Sequence, residues 1–391
     1  MRISRYCAVA ALSLLGLAAA SAPGAAEDQV ALIVDKALYK SQGVAGRIER
    51  YKADVQARFP VRLRISNKDS FEAYTPKQIR NYIQSQYSRY HIKGVILVGQ
   101  IKPPLWKNHG QDNKGINSFY YEDLDGTFTD TDGDGYDDQH EWGRHVGPEV
   151  WCCWMRPPAN TQVASLNAFL DKTHLFYTGD LSYNSRALIA ESADYDGNIR
   201  GAFKMAERLG AIYGSDIDID GEGSDPVVAS EQIELLNKNR YEIYETMSHA
   251  SAESQLWDNS KLRTADIRAL TGGAIMALIY GCHCAAFNES PSNNIVQAYV
   301  FGKGIGQAAS GTSWSYGTEA KWYIYEELAR GNYLGNAWLS MEVAKNTLQY
   351  MKDHDCDPNR HLWGDTLIGS PFIRLKPRPA PAADSSSPSH N

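Results

Sequence analysis

The feature that most constrains the fold of this chain is the regular alternation of short apolar segments with amphipathic ones from residue 29 onward. The apolar segments predict buried strands, and the segments between them place apolar residues at helical spacing. In the first half the predicted strands are QVALIVDKALY, VRLRIS, KGVILVGQ and VWCCWM, and the predicted helices are VAGRIERYKADVQARF, TPKQIRNYIQSQYSRY and TQVASLNAFLDKTHLFY. Strands that alternate with helices are typical of parallel sheets with helices on their faces. The chain is therefore predicted to be an α/β protein with mostly parallel sheets flanked by helices.

The second half of the chain continues this pattern. Its predicted strands are RALIAES, YEIYETMSHA, GGAIMALIYGC, GIGQAAS and, at the edge of a sheet, IGSPFIRL. We expect two closely packed subdomains, residues 27–185 and 186–375, because the length suits one large α/β domain or two close ones. Residues 376–391 form a Pro/Ser-rich tail with nothing to bury, and the tail is predicted to be disordered.

Residues 1–26 have the order of a secretory signal peptide. Arg2 and Arg5 precede an apolar run that ends in small residues at Ala26. The run is too short to be a good membrane span, although an N-terminal membrane anchor is the alternative. We therefore expect a secreted or periplasmic protein with no stable membrane insertion after cleavage. The net charge of -7 becomes -9 when Arg2 and Arg5 leave, so the overall field does not attract nucleic acid or anionic membranes.

The cysteine count points to a thiol with a chemical role. Cys7 leaves with the signal peptide, and the five that remain are Cys152, Cys153, Cys282, Cys284 and Cys356. An odd number in a protein bound for an oxidising compartment leaves at least one cysteine free or paired between molecules. Such a leftover thiol is a candidate nucleophile.

His249 and Cys282 each fall at the carboxyl end of a predicted strand. Ligands of open α/β sheets bind beyond such strand ends, and one crossover between the two strands would bring their ends close together. A nearby imidazole can take the proton of a thiol and later protonate the leaving amine. Backbone N–H groups of Cys282 and Ala250 would then stabilise the oxyanion. The pattern predicts His249 and Cys282 as a catalytic pair.

Other interpretations of these residues remain open. A histidine at a strand end is more often structural, and a buried cysteine usually acts as a small hydrophobe. Cys282, His283, Cys284 and His249 are also suitable zinc ligands, although Cys-x-Cys is tighter than the common Cys-x2-Cys spacing. A disulfide between Cys284 and Cys356, or one with Cys152 or Cys153, cannot be assigned from the sequence.

The blocks SHAS and GAIMALIYGCHCAAF contain His249 and Cys282. They resemble blocks of the caspase-like cysteine peptidases, and in particular of the gingipain family. SHAS is similar to the His-Gly block of that family, and GAIMALIYGCHCAAF to its apolar strand that ends in the nucleophile. In gingipains a small residue follows the nucleophile three positions on and an aromatic five positions on. Counted from Cys282 these positions hold Ala285 and Phe287, which favours Cys282 over Cys284. The resemblance implies a caspase-like fold, a Cys-His dyad and a polypeptide substrate.

Further blocks extend this resemblance over about residues 30–375. They are FYYEDLDGTFTDTDGDGYDD, VWCCWMRPPANT, GIGQAASGTSWSYG and HLWGDTLIGSPFIRL. The chain departs from the family in having Ala250 and Ala285 where glycine is usual. We therefore hold two hypotheses, a calcium-stabilised cysteine endopeptidase and an inactive calcium-binding scaffold or binding protein on the same fold.

The segment DTDGDGYDDQHE, residues 130–141, matches the calcium-loop pattern D-x-D-x-D-G-x5-E. Calcium takes six to eight oxygen ligands around a sharp glycine turn. The predicted ligands are Asp130, Asp132, Asp134, the carbonyl of Tyr136, Asp138 and Glu141. A solvated acidic turn is the alternative, and Asp123 and Asp125 could add oxygens or form a second site.

The segment SGTSWSYG, residues 310–317, follows the next strand after the nucleophile and should emerge at the same end of the sheet. Trp314 and Tyr316 supply flat apolar area, and Ser313 supplies a small hydrogen-bonding group. Ser313, Trp314 and Tyr316 are therefore predicted to line the substrate pocket, and the gingipain resemblance implies the same. The alternative is that Trp314 packs in the core.

Overall fold

The computed structural model of the chain describes residues 27–107, 114–195, 199–200, 204–221, 226–314, 321–347 and 364–377. The predicted signal peptide and most of the predicted tail lie outside these residues, as do Tyr316 and Cys356. No helix in the described part of the chain is long and apolar enough to span a bilayer.

The described residues form seventeen strands and ten α-helices. The strands are β1 Asp28–Val34, β2 Val61–Ser66, β3 Ile92–Val98, β4 Leu105–Lys107, β5 Lys114–Ile116, β6 Thr127–Thr129, β7 Gln139–Glu141, β8 Trp151–Met155, β9 Ala187–Glu191, β10 Ile217–Asp220, β11 Tyr241–Met247, β12 His249–Ala250, β13 Ser254–Trp257, β14 Ser260–Arg263, β15 Ala274–Tyr280, β16 Ala308–Thr312 and β17 Asp365–Gly369. The helices are α1 Lys36–Lys40, α2 Val44–Arg58, α3 Pro76–Tyr90, α4 Gln162–Thr178, α5 Met205–Tyr213, α6 Ala229–Asn239, α7 Thr264–Ala269, α8 Ile295–Phe301, α9 Trp322–Ala329 and α10 Leu334–Lys345.

Ten strands form one sheet in the order β10-β9-β11-β15-β16-β17-β8-β3-β1-β2. All neighbours in this sheet pair in parallel except β16 and β17, which are antiparallel. Helix α4 packs against α2 and α8, and helix α9 packs against α5 and α10. The predicted α/β fold, a mostly parallel sheet with flanking helices, is confirmed.

The last strand differs from its predicted position at an edge. Strand β17 lies inside the sheet, antiparallel to β16 and parallel to β8. Its residues Leu367 and Ile368 are both fully buried, as expected for a strand covered on both faces. Sequence position alone does not show that a chain returns to the middle of a sheet.

Strand β17 also joins the two halves of the chain. Residues before 185 supply β2, β1, β3 and β8, and the later residues supply the other six strands. The predicted boundary at 185/186 falls in the connection between α4 and β9. Lys376, at the start of the predicted tail, lies against the later half, where its backbone N–H donates to Glu242 over 2.8 Å.

The first predicted strand ends earlier than its apolar run. The sequence predicts a strand through QVALIVDKALY, but β1 ends at Val34 and α1 follows. Asp35 lies between them, and its carboxylate accepts the backbone N–H groups of Ala37 at 2.7 Å and Leu38 at 3.4 Å. A capped helix start of this kind satisfies N–H groups that an extended chain would leave to other partners.

Candidate active site

Strands β9, β11 and β15 are adjacent and parallel, so their carboxyl ends reach the same edge of the sheet. Met247 at the end of β11 pairs with Tyr280 at the end of β15. The backbone N–H of Ser248 then donates to the carbonyl of Tyr280 over 3.1 Å. The two predicted catalytic residues therefore leave the sheet from neighbouring strands, as the strand-end argument predicted.

His249 begins β12, the first strand of a small antiparallel sheet of β12, β13 and β14. This sheet, which was not predicted, pairs His249 with Leu256 and Ala250 with Gln255. The pairing fixes the backbone of His249 while leaving its side chain 51% exposed. The imidazole is thus held by a regular backbone and remains open to a substrate.

Gly281 allows the chain before Cys282 to lie directly on the chain after His249. A Cβ at Gly281 would lie 2.7 Å from the Cβ of Ala250 and 2.9 Å from the carbonyl oxygen of Ser248. Such contacts are too short for any side chain, so glycine is required here by close approach. The contact places Cys282 beside the segment that carries His249.

The turn after Cys282 is held by a hydrogen bond to the backbone of Trp314. His283 has a left-handed backbone with φ 54°, and its N–H donates to the carbonyl of Trp314 over 2.7 Å. This conformation is uncommon outside glycine and persists where the surroundings hold it. The chain therefore bends sharply after Cys282, which leaves that thiol only partly buried.

Two residues that the sequence analysis missed contact the His249 ring. The Tyr195 hydroxyl lies 3.1 Å from Nδ1 of His249, and the two ring centroids are 5.0 Å apart. Asp194 Oδ2 lies 3.6 Å from Nε2. Both residues follow β9, the neighbour of β11 at the same sheet edge. The strand RALIAES was predicted from the sequence. Polar residues that follow a strand of this kind of sheet are candidate site residues, and this signal pointed to Asp194 and Tyr195.

The ionisation of the site favours a neutral thiol at rest. Partial burial raises the pKa of the Cys282 thiol above its ordinary value. Burial, together with the nearby Cys282 and Asp194, also raises the pKa of Tyr195. A neutral thiol needs a base to remove its proton before it can act as a nucleophile, and Tyr195 keeps its hydroxyl proton at neutral pH.

The two predicted oxyanion donors, the backbone N–H groups of Ala250 and Cys282, lie near Gly281. The Ala250 nitrogen would lie 3.7 Å from a Cβ at Gly281, the residue directly before Cys282. The backbone N–H groups of Ala250 and Cys282 therefore belong to segments in contact. Their role in binding an oxyanion stays a prediction.

Cys284 has the surroundings of a core thiol. It is fully buried, its Sγ lies 3.8 Å from the carbonyl oxygen of Thr312, and burial raises its pKa to about 12. A Cβ at Gly311 would lie 2.4 Å from this sulfur. A thiol so enclosed has no room for a substrate carbonyl, which supports Cys282 as the nucleophile.

The alternative that Cys282, His283, Cys284 and His249 bind zinc finds no support in the described residues. Nδ1 of His283 lies 3.1 Å from Oε1 of Glu289, and Cys284 is fully buried in the core. Within those residues, the groups of three or more potential ligands lie elsewhere, at Asp125, His145 and Glu149 and at Asp130, Asp132 and Asp138. Cys152, Cys153 and Cys284 are all free, buried thiols.

Ser313 and Trp314 support a neighbouring hairpin. The Ser313 hydroxyl accepts the N–H of Ile116 over 2.8 Å and donates to its carbonyl over 3.0 Å, and the Trp314 indole N–H donates to the same carbonyl over 3.1 Å. Trp314 is 2% exposed. Both side chains thus pack β5 against the end of β16. Their part in a substrate pocket stays a prediction, and Tyr316 lies outside the described residues.

The predicted calcium loop is the tip of the hairpin formed by β6 and β7. The Asp130 carboxylate accepts the N–H groups of Gly133 at 2.7 Å and Gly135 at 2.8 Å, and Asp134 accepts that of Tyr136 at 3.1 Å. Asp130, Asp132 and Asp138 offer oxygens within 4.8 Å of one another. Glu141 lies in β7, opposite Thr127, with its side chain exposed.

Lys107 supplies a positive charge to this loop that the sequence analysis did not anticipate. Its ammonium lies 2.5 Å from Asp132, 2.9 Å from Asp134 and 3.9 Å from Asp138. Hydrogen bonding to Asp132, followed by that to Asp134, raises the pKa of Lys107. The repulsion among the aspartates is therefore relieved in part by a lysine from β4.

The described residues have a caspase-like fold of the gingipain type. The chain has the fold of the Arg-specific cysteine proteinase gingipain R (RgpB), with a TM-score of 0.63 and 14% identity over 90% of this chain and 79% of that one. The complex of the pro- and mature domains of RgpB from Porphyromonas gingivalis aligns similarly, with a TM-score of 0.63 and 14% identity over 89% of this chain and 80% of that one. No family model and no curated protein sequence matches the chain. The fold implied by the sequence resemblance is thus confirmed.

Proposed function

We propose that the protein is a secreted or periplasmic cysteine endopeptidase that hydrolyses peptide bonds through Cys282 and His249. The observation that carries this proposal is the contact of Gly281 with Ala250. This contact brings the segment with Cys282, after β15, next to the segment with His249, after β11. Export itself rests on the sequence of residues 1–26. If Ala26 is the cleavage point, N-terminal sequencing of the exported protein begins at Glu27, whereas an N-terminus within residues 1–25 argues against it.

The reaction follows from the ionisation of the site. His249 removes the thiol proton as the Cys282 sulfur forms a bond to the peptide carbonyl carbon. The carbonyl π electrons move to oxygen, and the N–H groups of Ala250 and Cys282 stabilise that oxyanion. When the oxyanion collapses, the C–N bond breaks and His249 gives its proton to the leaving amine. Water, deprotonated by His249, then splits the thioester to a carboxylic acid and the free thiol.

A covalent peptide probe tests the proposal against the alternative of an inactive scaffold. A peptidyl acyloxymethyl ketone library is incubated with the purified protein, and modified residues are located by mass spectrometry. We expect one label per chain on Cys282 and much slower labelling in His249→Ala. Absence of labelling, or equal labelling of native and denatured protein, would favour the scaffold.

Tyr195 is proposed as a positioning residue for His249. Tyr195→Phe keeps the ring that packs on the imidazole but removes the hydroxyl near Nδ1. Loss of one hydrogen bond is worth about 1 kcal/mol, so kcat should fall by roughly 3–10-fold with little change in KM or melting temperature. The measurement is steady-state kinetics with a melting curve. An unchanged kcat would remove Tyr195 from the mechanism.

We also propose that the hairpin loop binds calcium as a structural ion. Support comes from the converging oxygens of Asp130, Asp132 and Asp138 and from the loop pattern that includes Asp134, Tyr136 and Glu141. Oxygen donors of this kind suit calcium. Bound calcium would replace the ammonium of Lys107 as the neutralising charge and hold the hairpin closed.

Competition with Lys107 gives this proposal a sharp test. Calcium should raise the melting temperature, because a ligand that binds only the folded state stabilises it. In Lys107→Gln, which removes the competing charge at similar length, the calcium-induced shift should be larger and the calcium-free protein less stable. Asp132→Ala should blunt the shift. Melting curves that do not change with calcium or chelator in any of these proteins would leave the loop as an acidic turn held by Lys107.

A further inference from the structure

Asp125, His145 and Glu149 form a second cluster of potential metal ligands, separate from the hairpin loop. Asp125 precedes β6, whereas His145 and Glu149 lie between β7 and β8. Nδ1 of His145 lies 3.1 Å from Asp125 Oδ2 and 3.7 Å from Glu149 Oε1. One ligand atom from each residue falls within 4.8 Å of the other two. The cluster lines an open cleft of about 450 Å³ beside α3.

Two buried oxygens at this cluster lack a hydrogen-bond partner in the described structure. The Glu149 side chain is only 8% exposed. Its Oε2 accepts the Leu124 N–H over 2.6 Å, but its Oε1 accepts no hydrogen bond, and Nδ1 of His145 lies 3.7 Å from it. Oδ1 of Asp125 is also buried without one. A buried carboxylate oxygen without a partner is costly. Oε1 of Glu149 faces His145 at a distance too long for a hydrogen bond, and a cation shared by the two side chains would satisfy it.

The donor set and its spacing fit a particular class of ion. We propose that Asp125, His145 and Glu149 bind a divalent transition metal ion, with zinc as the best fit. One imidazole nitrogen with two carboxylate oxygens suits zinc, whereas calcium prefers oxygen alone. Zinc holds such donors at about 2.0–2.2 Å, so adjacent tetrahedral ligands lie roughly 3.4 Å apart. Nδ1 of His145 lies 3.1 Å from the Asp125 oxygen and 3.7 Å from the Glu149 oxygen, one distance shorter and one longer than that separation.

The surrounding backbone already orients the ligands. The Arg144 N–H donates to Oδ2 of Asp125 over 2.8 Å, and the Leu124 N–H fixes Glu149. Contacts of this kind hold metal ligands in place before the ion binds. Gly143 lies against Asp125, where a Cβ would come within 2.2 Å of Oδ1. The ion would tie the turn at Asp125 to the segment that leads into β8, with its fourth position open to the cleft.

The site is tested by zinc titration of the full chain carrying Cys282→Ala, which removes the catalytic thiol as a competing ligand. Calcium is kept in excess so that the hairpin loop is not available to zinc. We expect calorimetry to show one zinc ion per chain, and cobalt to give visible absorption bands that zinc abolishes. Because this background has no nucleophile, the outcome is independent of the proposed peptidase activity.

Two variants and a matched control decide the assignment. His145→Ala should eliminate the zinc-binding isotherm, and because this side chain is 72% exposed the fold should survive. Glu149→Gln should weaken binding by more than about tenfold, since loss of a residue that merely supports a ligand costs 10–100-fold. Asp132→Asn, in the hairpin loop, should leave zinc binding unchanged. No binding in the parent, or equal binding in His145→Ala, would overturn the proposal.

Discussion

Replacing Cys282 with alanine should abolish peptide hydrolysis, with a fall in kcat of roughly 10⁶-fold, the size seen when a peptidase loses its nucleophile. The thiol is only partly buried and lies just after β15, which ends at Tyr280. The backbone there is fixed by the Gly281 contact and by the His283 hydrogen bond. Truncation to alanine leaves those contacts in place. The melting temperature should therefore change little while turnover disappears.

Cys284→Ala is the matched control, since it removes a thiol two residues away. Cys284 is sealed between Thr312 and Gly311, so its loss should cost about 1 kcal/mol of stability and leave most of the activity. Kinetics and melting curves on both variants provide the comparison. If Cys284→Ala were inactive and Cys282→Ala active, the assignment of the nucleophile would be wrong.

His249→Ala should lower kcat by about 10²–10⁴-fold, the usual contribution of a positioned general base. Because the pKa of the Cys282 thiol is raised by burial, little thiolate exists at neutral pH without the histidine. The residual activity should then increase about tenfold for each unit of pH up to the thiol pKa, since hydroxide must supply the thiolate. The wild-type rate should depend on pH less steeply over the same range.

The pH profile distinguishes a catalytic histidine from a structural one. A full profile of kcat for the wild type and His249→Ala, with a melting curve at each pH, separates lost chemistry from lost folding. Equal activity in both proteins at neutral pH would show that His249 takes no part in the reaction. A residual activity that stays flat with pH would show that the thiolate forms without a base.

Much of the fold could be predicted from the apolar pattern because its central strands are buried on both faces. VWCCWM and GGAIMALIYGC appear in the structure as β8 and β15, near their predicted bounds. The order of the strands within the sheet was harder to predict from the sequence, as β17 shows. Its place between β16 and β8 depends on long-range pairing, which local apolar patterning does not encode.

The catalytic pair could be proposed from sequence because strand ends and family blocks both point to it. Tyr195 was missed, because the sequence places it after a predicted strand but does not show that this strand, β9, lies beside β11. Lys107 was not predicted for the same reason. It lies in β4, and it contacts the aspartates of the hairpin loop only in the folded protein. Trp314 shows a related limit, since an aromatic residue in a loop can equally serve packing, and here it is buried.

The most direct test of the central claim is a cleavage profile on a peptide library. The purified wild-type protein and Cys282→Ala are incubated with the same library, and new peptide termini are identified by mass spectrometry. The proposed mechanism predicts products with a consistent side-chain preference next to the cleaved bond in the wild type and none in the variant. Identical profiles from the two proteins, or no cleavage by a folded wild type, would contradict it.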